Sequence, residues 1–532
     1  MTRLPCAWLT KPLAGLIVLA TIAGCAADGA PAPADVAATP DLAADRGPTD
    51  PVFTVGYDRM ADIYLEAVDL GDLTLDGLDG LSGIDPDIHA LRAGNHLDLL
   101  RGDELVGSYS SADAYDSAAW AAIATAAVQD AAAASPLVAE AGSEAIYEAV
   151  FDAIVGDLDP YSRYVNAEEA EAERASRDGY GGVGLLLNFD DAAGFGFVED
   201  VFDGSPAEAA GVRVGDVFVA VDGQPTTGWT LQDLAHHLRG PIGTVVTVTV
   251  RGDDGNLRTI SMRRAQVIID TVESEIRDGI GIMRISRFNA GTLEQARDVL
   301  GDLLAELQWS GGTGLILDLR GNPGGLLDQS VGLADLFIQS GDIITTRGRH
   351  PDSFQRFPAS GGDLADGLPM VVLVDSRSAS GAEIVAAALQ DTGRAVVVGS
   401  SSFGKGSVQT VSRLPNGGEL FLTWSRIYGP AGITIHRQGV TPTICTSSGL
   451  GDAGTIIQAF RSGTIPTPDM LLDQRQRAAD DDDALRELRE ACPWHEHDSD
   501  LDIEVAIQLL EDQNLFARAL DTAPAATLAA AQ

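Results

Sequence analysis

Serine residues that could act as a nucleophile are concentrated in residues 375–391. Ser376, Ser378 and Ser380 stand between an apolar run and an alanine-rich run, a pattern that predicts a strand followed by a helix. A serine at this junction would present its hydroxyl group at a helix N-terminus, where backbone N–H groups and the helix dipole favour a developing oxyanion. Ser380 and Glu383 also have the spacing of a helix capping box. The spacing therefore leaves open which serine is a nucleophile and which caps the helix.

A lysine that could act as the general base lies in residues 403–409. The chain has 35 basic residues, and all of them except Lys11 and Lys405 are arginine. A strand in this stretch would place Lys405, Ser407 and Gln409 on one face. Lysine accepts a proton from serine only when it is neutral, which requires burial to lower its pKa from about 10.4 to about 7. Arginine cannot replace it in this role, because its guanidinium group stays protonated.

Two alternative sites compete with this interpretation. Gly399, Gly404 and Lys405 fit most of a phosphate-binding loop, but Gly406 stands where that loop needs a hydroxyl group to hold magnesium. A strand, and not the required helix, is predicted to follow. A histidine-based triad would use His436, which has no obvious orienting acid, and the G-x-S-x-G and H-E-x-x-H motifs are both absent from the sequence. These patterns disfavour a nucleotide site, a histidine triad and a zinc protease.

A glycine-rich turn, residues 318–325, follows a third apolar strand. It can offer a free backbone N–H group to an oxyanion, although it also fits a plain turn between a strand and a helix. In order and spacing, the three stretches resemble the C-terminal processing peptidases, also called tail-specific proteases, which are serine peptidases with a Ser-Lys dyad. The resemblance covers about residues 155–445.

This resemblance assigns roles to individual residues and implies a mechanism without a metal or other cofactor. Ser380 would be the nucleophile, Lys405 the general base, and Gln409 a residue that assists the lysine. The resemblance also implies an oxyanion hole formed by Gly324, Gly325 and Gly381. It gives a supporting role to two acids, Glu383 and Asp391.

Four short motifs, GSPA (204–207), AGV (210–212), VGD (214–216) and VDG (221–223), follow one another in residues 179–268, and as a set they resemble those of a PDZ domain. The glycines of residues 179–184 match a dinucleotide-binding pattern, but they precede a predicted strand instead of opening a helix, which argues against a nucleotide. A glycine loop before a strand can instead direct backbone N–H groups at a carboxylate, while the strand edge pairs with a peptide. The resemblance therefore implies capture of C-terminal or extended peptide segments. The residues expected to bind the peptide or to signal its presence are Gly182, Val183, Gly184, Leu185 and Arg239.

The N-terminus and the cysteines indicate an exported protein. Residues 22–25 resemble the lipobox of bacterial lipoproteins, which implies cleavage before Cys25 and acylation of its thiol. An ordinary soluble secreted protein is the alternative. Cys445 and Cys492 form either a disulfide in an oxidising compartment or two separate buried thiols. A zinc site formed by Cys492, His495 and His497 has weak support, because no second pair at ligand spacing accompanies them.

Length and composition indicate several globular domains. The chain has 532 residues, 45% of them hydrophobic, and a net charge of −43, which disfavours nucleic acid as a partner. The expected fold is multidomain α+β, with a helical N-terminal region, a β-rich PDZ domain and an α/β catalytic core with ββα-type units. The expected divisions are a signal peptide (1–24), a tether (25–52), the helical region (53–178), the PDZ domain (179–268), the catalytic core (269–445) and an acidic, partly helical extension (446–532).

The resemblances together imply a serine endopeptidase of the bacterial cell envelope that cleaves proteins at or near their C-terminal tails. Its expected partners are proteins with exposed C-terminal tails and an adaptor protein. The lipid anchor is expected to attach it to a membrane. A periplasm-facing lipoprotein of the outer membrane is the expected location. The alternative function is a catalytically silent PDZ lipoprotein that acts as a scaffold. The sequence does not predict the oligomeric state.

Overall fold

The computed structural model describes residues 48–522, except for 191, 193, 450, 464–467 and 497–499. The expected signal peptide, Cys25, most of the tether and His497 lie outside the described residues. Within the described part of the chain, no helix is both long enough and apolar enough to cross a membrane.

The N-terminal region contains a small antiparallel sheet in addition to the helices that its sequence predicts. Its hairpins turn at Gly94 and Gly102, which adopt φ of +64° and +59°. The expectation of a helical region is incomplete. Strands of six or seven residues are too short to show a clear alternation of apolar and polar residues, and long alanine-rich helices dominate the pattern around them. The elements are α1 (Pro51–Ile63), α2 (Leu70–Asp79), β1 (Ile88–Ala93), β2 (His96–Arg101), β3 (Glu104–Ser110), α3 (Ser117–Ala134), α4 (Pro136–Leu158), β4 (Arg163–Val165) and α5 (Ala167–Asp178).

Residues 179–268 fold into a β-rich domain. Its elements are β5 (Tyr180–Gly182), β6 (Leu185–Asp190), β7 (Phe195–Val201), α6 (Pro206–Ala209), β8 (Val217–Val221), β9 (Gln224–Pro225), α7 (Leu231–Leu238), β10 (Val245–Arg251), β11 (Leu257–Arg263) and β12 (Ala265–Val267). The main sheet has the order β11-β10-β8-β7-β6, and β9 pairs with β8. β6 is therefore an edge strand, and helix α7 contacts it. β5 and β12 pair where the chain enters and leaves the domain.

A six-stranded sheet forms the centre of the catalytic region. The elements of this region are β13 (Val272–Arg277), β14 (Ile280–Ile285), α8 (Thr292–Ser310), β15 (Gly314–Asp318), α9 (Leu327–Asp335), β16 (Asp342–Arg347), β17 (Gln355–Pro358), β18 (Met370–Val374), α10 (Gly381–Asp391), β19 (Val396–Gly399), β20 (Ser407–Arg413), β21 (Glu419–Tyr428) and β22 (Ile444–Cys445). The order is β13-β14-β15-β18-β19-β22, parallel from β14 onwards. Every residue of β15 and β18 is buried, as the continuous apolar runs require in a parallel sheet covered on both faces.

A second sheet, β17-β16-β21-β20, packs beside the first and is extended by β4, which pairs with β21. The strand predicted around Lys405 begins two residues after it, at Ser407, so Lys405 lies in the preceding loop. Gly404 interrupts the extended backbone there, because it adopts φ of +95°. A shift in register between Val408 and Gln409 then disturbs the alternation that was expected to put Gln409 on the same face as Lys405.

The helices of the C-terminal extension are α11 (Ala453–Ser462), α12 (Pro468–Asp480), α13 (Asp482–Ala491), α14 (Leu501–Glu511) and α15 (Gln513–Leu520). Three of them, α11, α14 and α15, cover the face of the central sheet opposite α8, α9 and α10, while α12 and α13 pack against each other. A disulfide joins Cys445, at the end of β22, to Cys492, so the structure has the bridged form of the two alternatives. The division expected at residue 445 is a boundary of sequence pattern, whereas packing joins the extension to the core.

Candidate active site

Three loops meet at one edge of the central sheet. Strands β15, β18 and β19 are adjacent and parallel, so their carboxyl ends lie on the same side. Residues 319–325 follow β15, residues 375–380 follow β18, and residues 400–406 follow β19. Open parallel sheets bind ligands at this edge. The fold therefore brings together the three stretches that the sequence analysis singled out.

Buried hydrogen bonds fix the first two loops against each other. The Asp375 carboxylate accepts the N–H group of Gly321 at 2.9 Å, and the Ser378 hydroxyl group donates to the carbonyl oxygen of Leu319 at 2.8 Å. Ser378 is fully buried, so its hydroxyl group serves the loop structure. Ser380 is the one of the three candidate serines that lines the cleft of this site.

Ser380 has a strained backbone. It immediately precedes α10 and adopts φ of +52° and ψ of −109°, a backbone conformation that residues other than glycine rarely adopt. Such a conformation costs about 1–3 kcal/mol and persists only where surrounding contacts hold it. One of these contacts is the Glu383 carboxylate, which accepts the N–H group of Ser380 at 2.8 Å. The strained turn directs the Ser380 side chain into the cleft at the start of a helix.

Glu383 joins the serine loop to the lysine loop. Its side chain is fully buried on the first turn of α10. One carboxylate oxygen accepts the N–H groups of Ser380 (2.8 Å) and Lys405 (2.9 Å). The other accepts the N–H group of Gly404 (2.6 Å) and the hydroxyl group of Ser402. Burial raises the pKa of Glu383, and these hydrogen bonds partly offset that effect.

Lys405 lies in an environment that favours its neutral form. Burial lowers the pKa of the Lys405 ammonium group, and the nearby positive charge of Arg163 lowers it further. Asp159, Glu383 and Glu173 act in the opposite direction, because their negative charges favour the ammonium form. The net pKa lies below the ordinary value, as a general base requires.

The Lys405 amine also lies over the face of the Tyr161 ring, 5.3 Å from the ring centre. The Gln409 amide lines the same cleft. Its nitrogen donates to the hydroxyl groups of Ser407 at 2.9 Å and Thr423 at 3.3 Å, and not to Lys405. In this structure Gln409 therefore contributes to the wall of the cleft and does not directly orient the lysine.

Two backbone N–H groups are available for an oxyanion. Those of Gly325 and Gly381 have no acceptor in the described part of the chain, and Gly381 is the first residue of α10, where no intrahelical acceptor exists. The third expected donor differs, because the N–H group of Gly324 donates to the Asn322 side chain at 2.8 Å. Gly324 instead allows close approach, since a Cβ atom there would lie 2.8 Å from the Ser380 Cβ.

The site opens into a cleft of about 730 Å³ that contains Ser380, Lys405 and Gln409. Its opposite wall is helix α5, and an ion pair of 2.6 Å joins Arg163 to Glu173 at that wall. This volume is ample for an extended peptide segment. Other charged residues that line the cleft are Arg177, Arg287 and Asp328.

The expected peptide-binding loop has free donors next to the edge strand β6. The N–H groups of Val183 and Gly184 have no acceptor in the described part of the chain, while their carbonyl oxygens accept N–H groups from within the β-rich domain. Leu185 begins β6, and Gly182 ends β5. Arg239 stacks on the ring of Tyr180, which precedes the loop, at 4.4 Å. The loop therefore has the donors that a terminal carboxylate needs.

Two residues considered from the sequence lie away from this chemistry. Asp391 is at the other end of α10, where it is fully buried and forms an ion pair of 2.7 Å with Arg475 of the extension. His436 contacts Arg426, and burial lowers the pKa of the imidazole to about 4. His436 does not line the cleft, so the geometry offers no histidine triad with Ser380.

Sequence reasoning missed Tyr161, Arg163 and Glu173 as residues of the site. Arg163 of β4 and Glu173 of α5 line the cleft, and the Tyr161 ring lies beside the Lys405 amine. All three come from the N-terminal region, which β4 joins to the second sheet by pairing with β21. The available signal was the polar and aromatic turn of residues 159–164, which follows a helix and precedes a short strand. No local pattern indicates that such a turn faces a strand more than 200 residues further along the chain.

Parts of this chain are similar in sequence to known proteins. Residues 279–446 match peptidase family S41, and residues 197–252 match a PDZ domain. A carboxy-terminal-processing protease of Bartonella bacilliformis is 38% identical over 302 residues, covering 56% of this chain and 69% of that protein. A carboxyl-terminal-processing protease of Picosynechococcus sp. is 34% identical over 302 residues, covering 56% and 72%. The solved photosystem II D1 C-terminal processing protease is 31% identical, covering 56% of this chain and 80% of that chain, with a TM-score of 0.33.

Proposed function

Since this chain belongs to peptidase family S41 and is a serine-type peptidase with a PDZ domain, we propose that Ser380 is its nucleophile and Lys405 its general base. One observation carries the proposal: the strained Ser380 and the half-buried Lys405 line one cleft, and their backbone N–H groups share Glu383 as a hydrogen-bond acceptor. The chain is an endopeptidase for protein substrates with exposed C-terminal tails.

The reaction proceeds through an acyl-enzyme. The neutral Lys405 amine takes the hydroxyl proton as the Ser380 oxygen attacks the scissile carbonyl carbon. The N–H groups of Gly325 and Gly381 stabilise the resulting oxyanion. When the carbon–nitrogen bond breaks, the Lys405 ammonium group returns the proton to the leaving amine. A water molecule, deprotonated by Lys405 in turn, then hydrolyses the ester and frees Ser380.

The PDZ domain captures the substrate by its tail. An extended tail adds a strand to the free edge of β6, and its terminal carboxylate accepts the N–H groups of Val183 and Gly184. Arg239 positions the loop through Tyr180. Cleavage then takes place upstream of the bound tail, within reach of Ser380.

A pair of peptides tests both parts of this function. They share an apolar C-terminal sequence and differ only in ending as a free carboxylate or as a carboxamide. Hydrogen bonds to a charged group contribute roughly 1.5–3 kcal/mol, so amidation is expected to raise KM about ten- to hundredfold with little change in kcat. Ser380→Ala, as the control, is expected to cleave neither peptide. Equal KM values would refute carboxylate capture, and a wild-type protein that cleaves neither peptide would favour the silent scaffold.

The chain also carries a proposed membrane anchor. In this proposal residues 1–24 are removed, the Cys25 thiol is acylated, and the tether places the peptidase on the periplasmic face of the outer membrane, where an adaptor protein presents substrates. The support is the lipobox-like sequence of residues 22–25. Growth with an alkyne-bearing fatty acid is expected to label the wild type and the Cys6→Ser variant, and to leave Cys25→Ser unlabelled. Equal labelling of Cys25→Ser would exclude this anchor.

A further inference from the structure

A segment of the C-terminal extension, residues 489–495, lies along the loop that carries Lys405. We name this segment the strap and residues 400–406 the base loop. The strap forms hydrogen bonds with four consecutive residues of the base loop, although the bonded residues are 86 to 95 positions apart in sequence. The contacts are Ser400 Oγ to His495 O (2.9 Å), Ser401 Oγ to Cys492 O (2.7 Å), Trp494 Nε1 to Ser402 O (3.0 Å) and Arg489 Nη2 to Phe403 O (3.1 Å).

Side-chain packing reinforces these hydrogen bonds. The rings of Phe403 and Trp494 are parallel, with centroids 6.2 Å apart. The Arg489 guanidinium group lies 4.3 Å from the centre of the Trp494 ring and donates to the carbonyl oxygen of Arg437. It lies so close to Gly404 that a Cβ atom at that position would be 2.6 Å from it. The strap therefore contacts the base loop up to the residue before Lys405.

The disulfide ties the strap to the strand from which the base loop emerges. Cys492 of the strap is bonded to Cys445 of β22, and β22 pairs with β19. The base loop begins directly after β19. The hydroxyl group of Ser447 adds a second link, because it donates to the carbonyl oxygen of Pro493 at 2.7 Å. The base loop, strands β19 and β22, and the strap are thus linked to one another by the disulfide and by hydrogen bonds.

The strap does not line the cleft, so any effect on the reaction passes through the base loop. Glu383 holds the base loop at Ser402, Gly404 and Lys405. The strap holds it at 400–403. A loop fixed at both places can keep the lysine amine in one position, which efficient proton transfer requires.

We propose that the strap is a positioning element for the general base, and that the Cys445–Cys492 disulfide keeps it in place. The inference rests on the proposed role of Lys405. A strap that detaches would let the base loop move and would let water reach the amine. The acidic and basic groups that face Lys405, namely Arg163, Asp159, Glu173 and Glu383, together with the Tyr161 ring, belong to other elements and stay in place.

The test compares two strap variants of the full chain with a matched control. Trp494→Phe keeps an aromatic ring and removes the N–H group that donates to the Ser402 carbonyl oxygen. The double variant Cys445→Ser/Cys492→Ser removes the disulfide. The control is Arg486→Ala, since Arg486 lies on the same helix as Arg489 but its side chain pairs with Asp483. Both strap variants are expected to lose about ten- to hundredfold in kcat with KM within twofold of wild type, and the control to lose nothing.

The pH profile separates positioning from a loss of folded protein. Water that reaches Lys405 stabilises its ammonium form, so the acid limb of kcat/KM is expected to move to higher pH in the strap variants. A loss that equals the unfolded fraction, with an unmoved limb, would overturn the proposal, as would wild-type kcat in both variants. If Lys405→Arg were also fully active, the role of Lys405 would fail first and the strap would have no base to position.

Discussion

Replacing Lys405 with arginine is expected to lower kcat/KM by a factor on the order of 10³ or more, with the protein still folded. Arginine keeps the positive charge and a long side chain, but its guanidinium group does not release a proton at accessible pH and cannot act as a base. General base catalysis typically contributes about 10²- to 10⁴-fold. Lys405→Met, which keeps an unbranched side chain one atom shorter and without the charge, is expected to lose as much. The measurement is steady-state cleavage of the free-tail peptide.

The control exchanges the same two residue types outside the site. Arg413 is exposed at the end of β20, on the strand that follows Lys405, so Arg413→Lys is expected to keep wild-type kcat/KM. Near-normal turnover by Lys405→Arg at neutral pH would exclude Lys405 as the base. The dyad proposal would then have to be abandoned.

The same dyad predicts the direction of the pH dependence. Activity requires the neutral amine, so kcat/KM rises with pH as Lys405 loses its proton. Because burial and Arg163 lower the pKa of Lys405, the midpoint of this rise is expected below the value of an ordinary lysine, about 10.4. A limb with its midpoint at the ordinary value would contradict this expectation, because kcat/KM reports the pKa of the free enzyme and the Lys405 amine would then be as solvated as an ordinary lysine.

Glu383→Ala is expected to have the second-largest effect, on both stability and activity. The change removes the acceptor of four donors, three of which are the backbone N–H groups of Ser380, Gly404 and Lys405. Each buried donor left without a partner costs about 1–3 kcal/mol. We therefore expect the free energy of unfolding to fall by about 3 kcal/mol or more, because some donors will find water. The folded fraction is expected to lose about 10² in kcat, since the serine and lysine loops no longer share a partner.

Asp391→Asn is the matched control, because Asp391 is an equally buried acid on the same helix. It is paired with Arg475, so breaking that pair is expected to cost about 3–5 kcal/mol of stability. Turnover per folded molecule should stay near the wild-type value, since Asp391 is remote from the cleft. Denaturant unfolding and titration of the reactive serine with a fluorophosphonate measure the two effects separately. An unfolding free energy and kcat of Glu383→Ala equal to those of wild type would refute its role.

Much of the site could be predicted from the sequence because its signals are local. An apolar strand, a serine turn and an alanine-rich helix follow one another within residues 370–391, and a lysine between two glycines stands out in a chain that otherwise uses arginine. These patterns depend on the few residues around each position. The same holds for the glycine loop before β6, whose conformation requires residues without side chains.

Roles that depend on the hydrogen-bond partner of a backbone or side-chain group could not be assigned from local patterns. Gly324 looked like an oxyanion donor, but its N–H group is bonded to Asn322, and Gln409 was expected to orient the lysine, although its amide faces Ser407 and Thr423. The glycine turn and the strand were correctly placed in each case. In both cases the role of the residue depended on the partner of one N–H donor, and side-chain packing sets that partner.

The amino-acid sequence by itself determined the chemical groups of this peptidase and the order of its domains. Tertiary structure decided which groups surround them: Glu383 between the serine and lysine loops, the Tyr161 ring and the Arg163 charge near the amine, and the strap along the base loop. The physical reason is chain distance. Glu383 and Lys405 are 22 residues apart, while Arg489 and Phe403 are 86 apart. Such contacts form only when the parallel sheet has brought its strand ends together, and no pattern within either segment encodes the other.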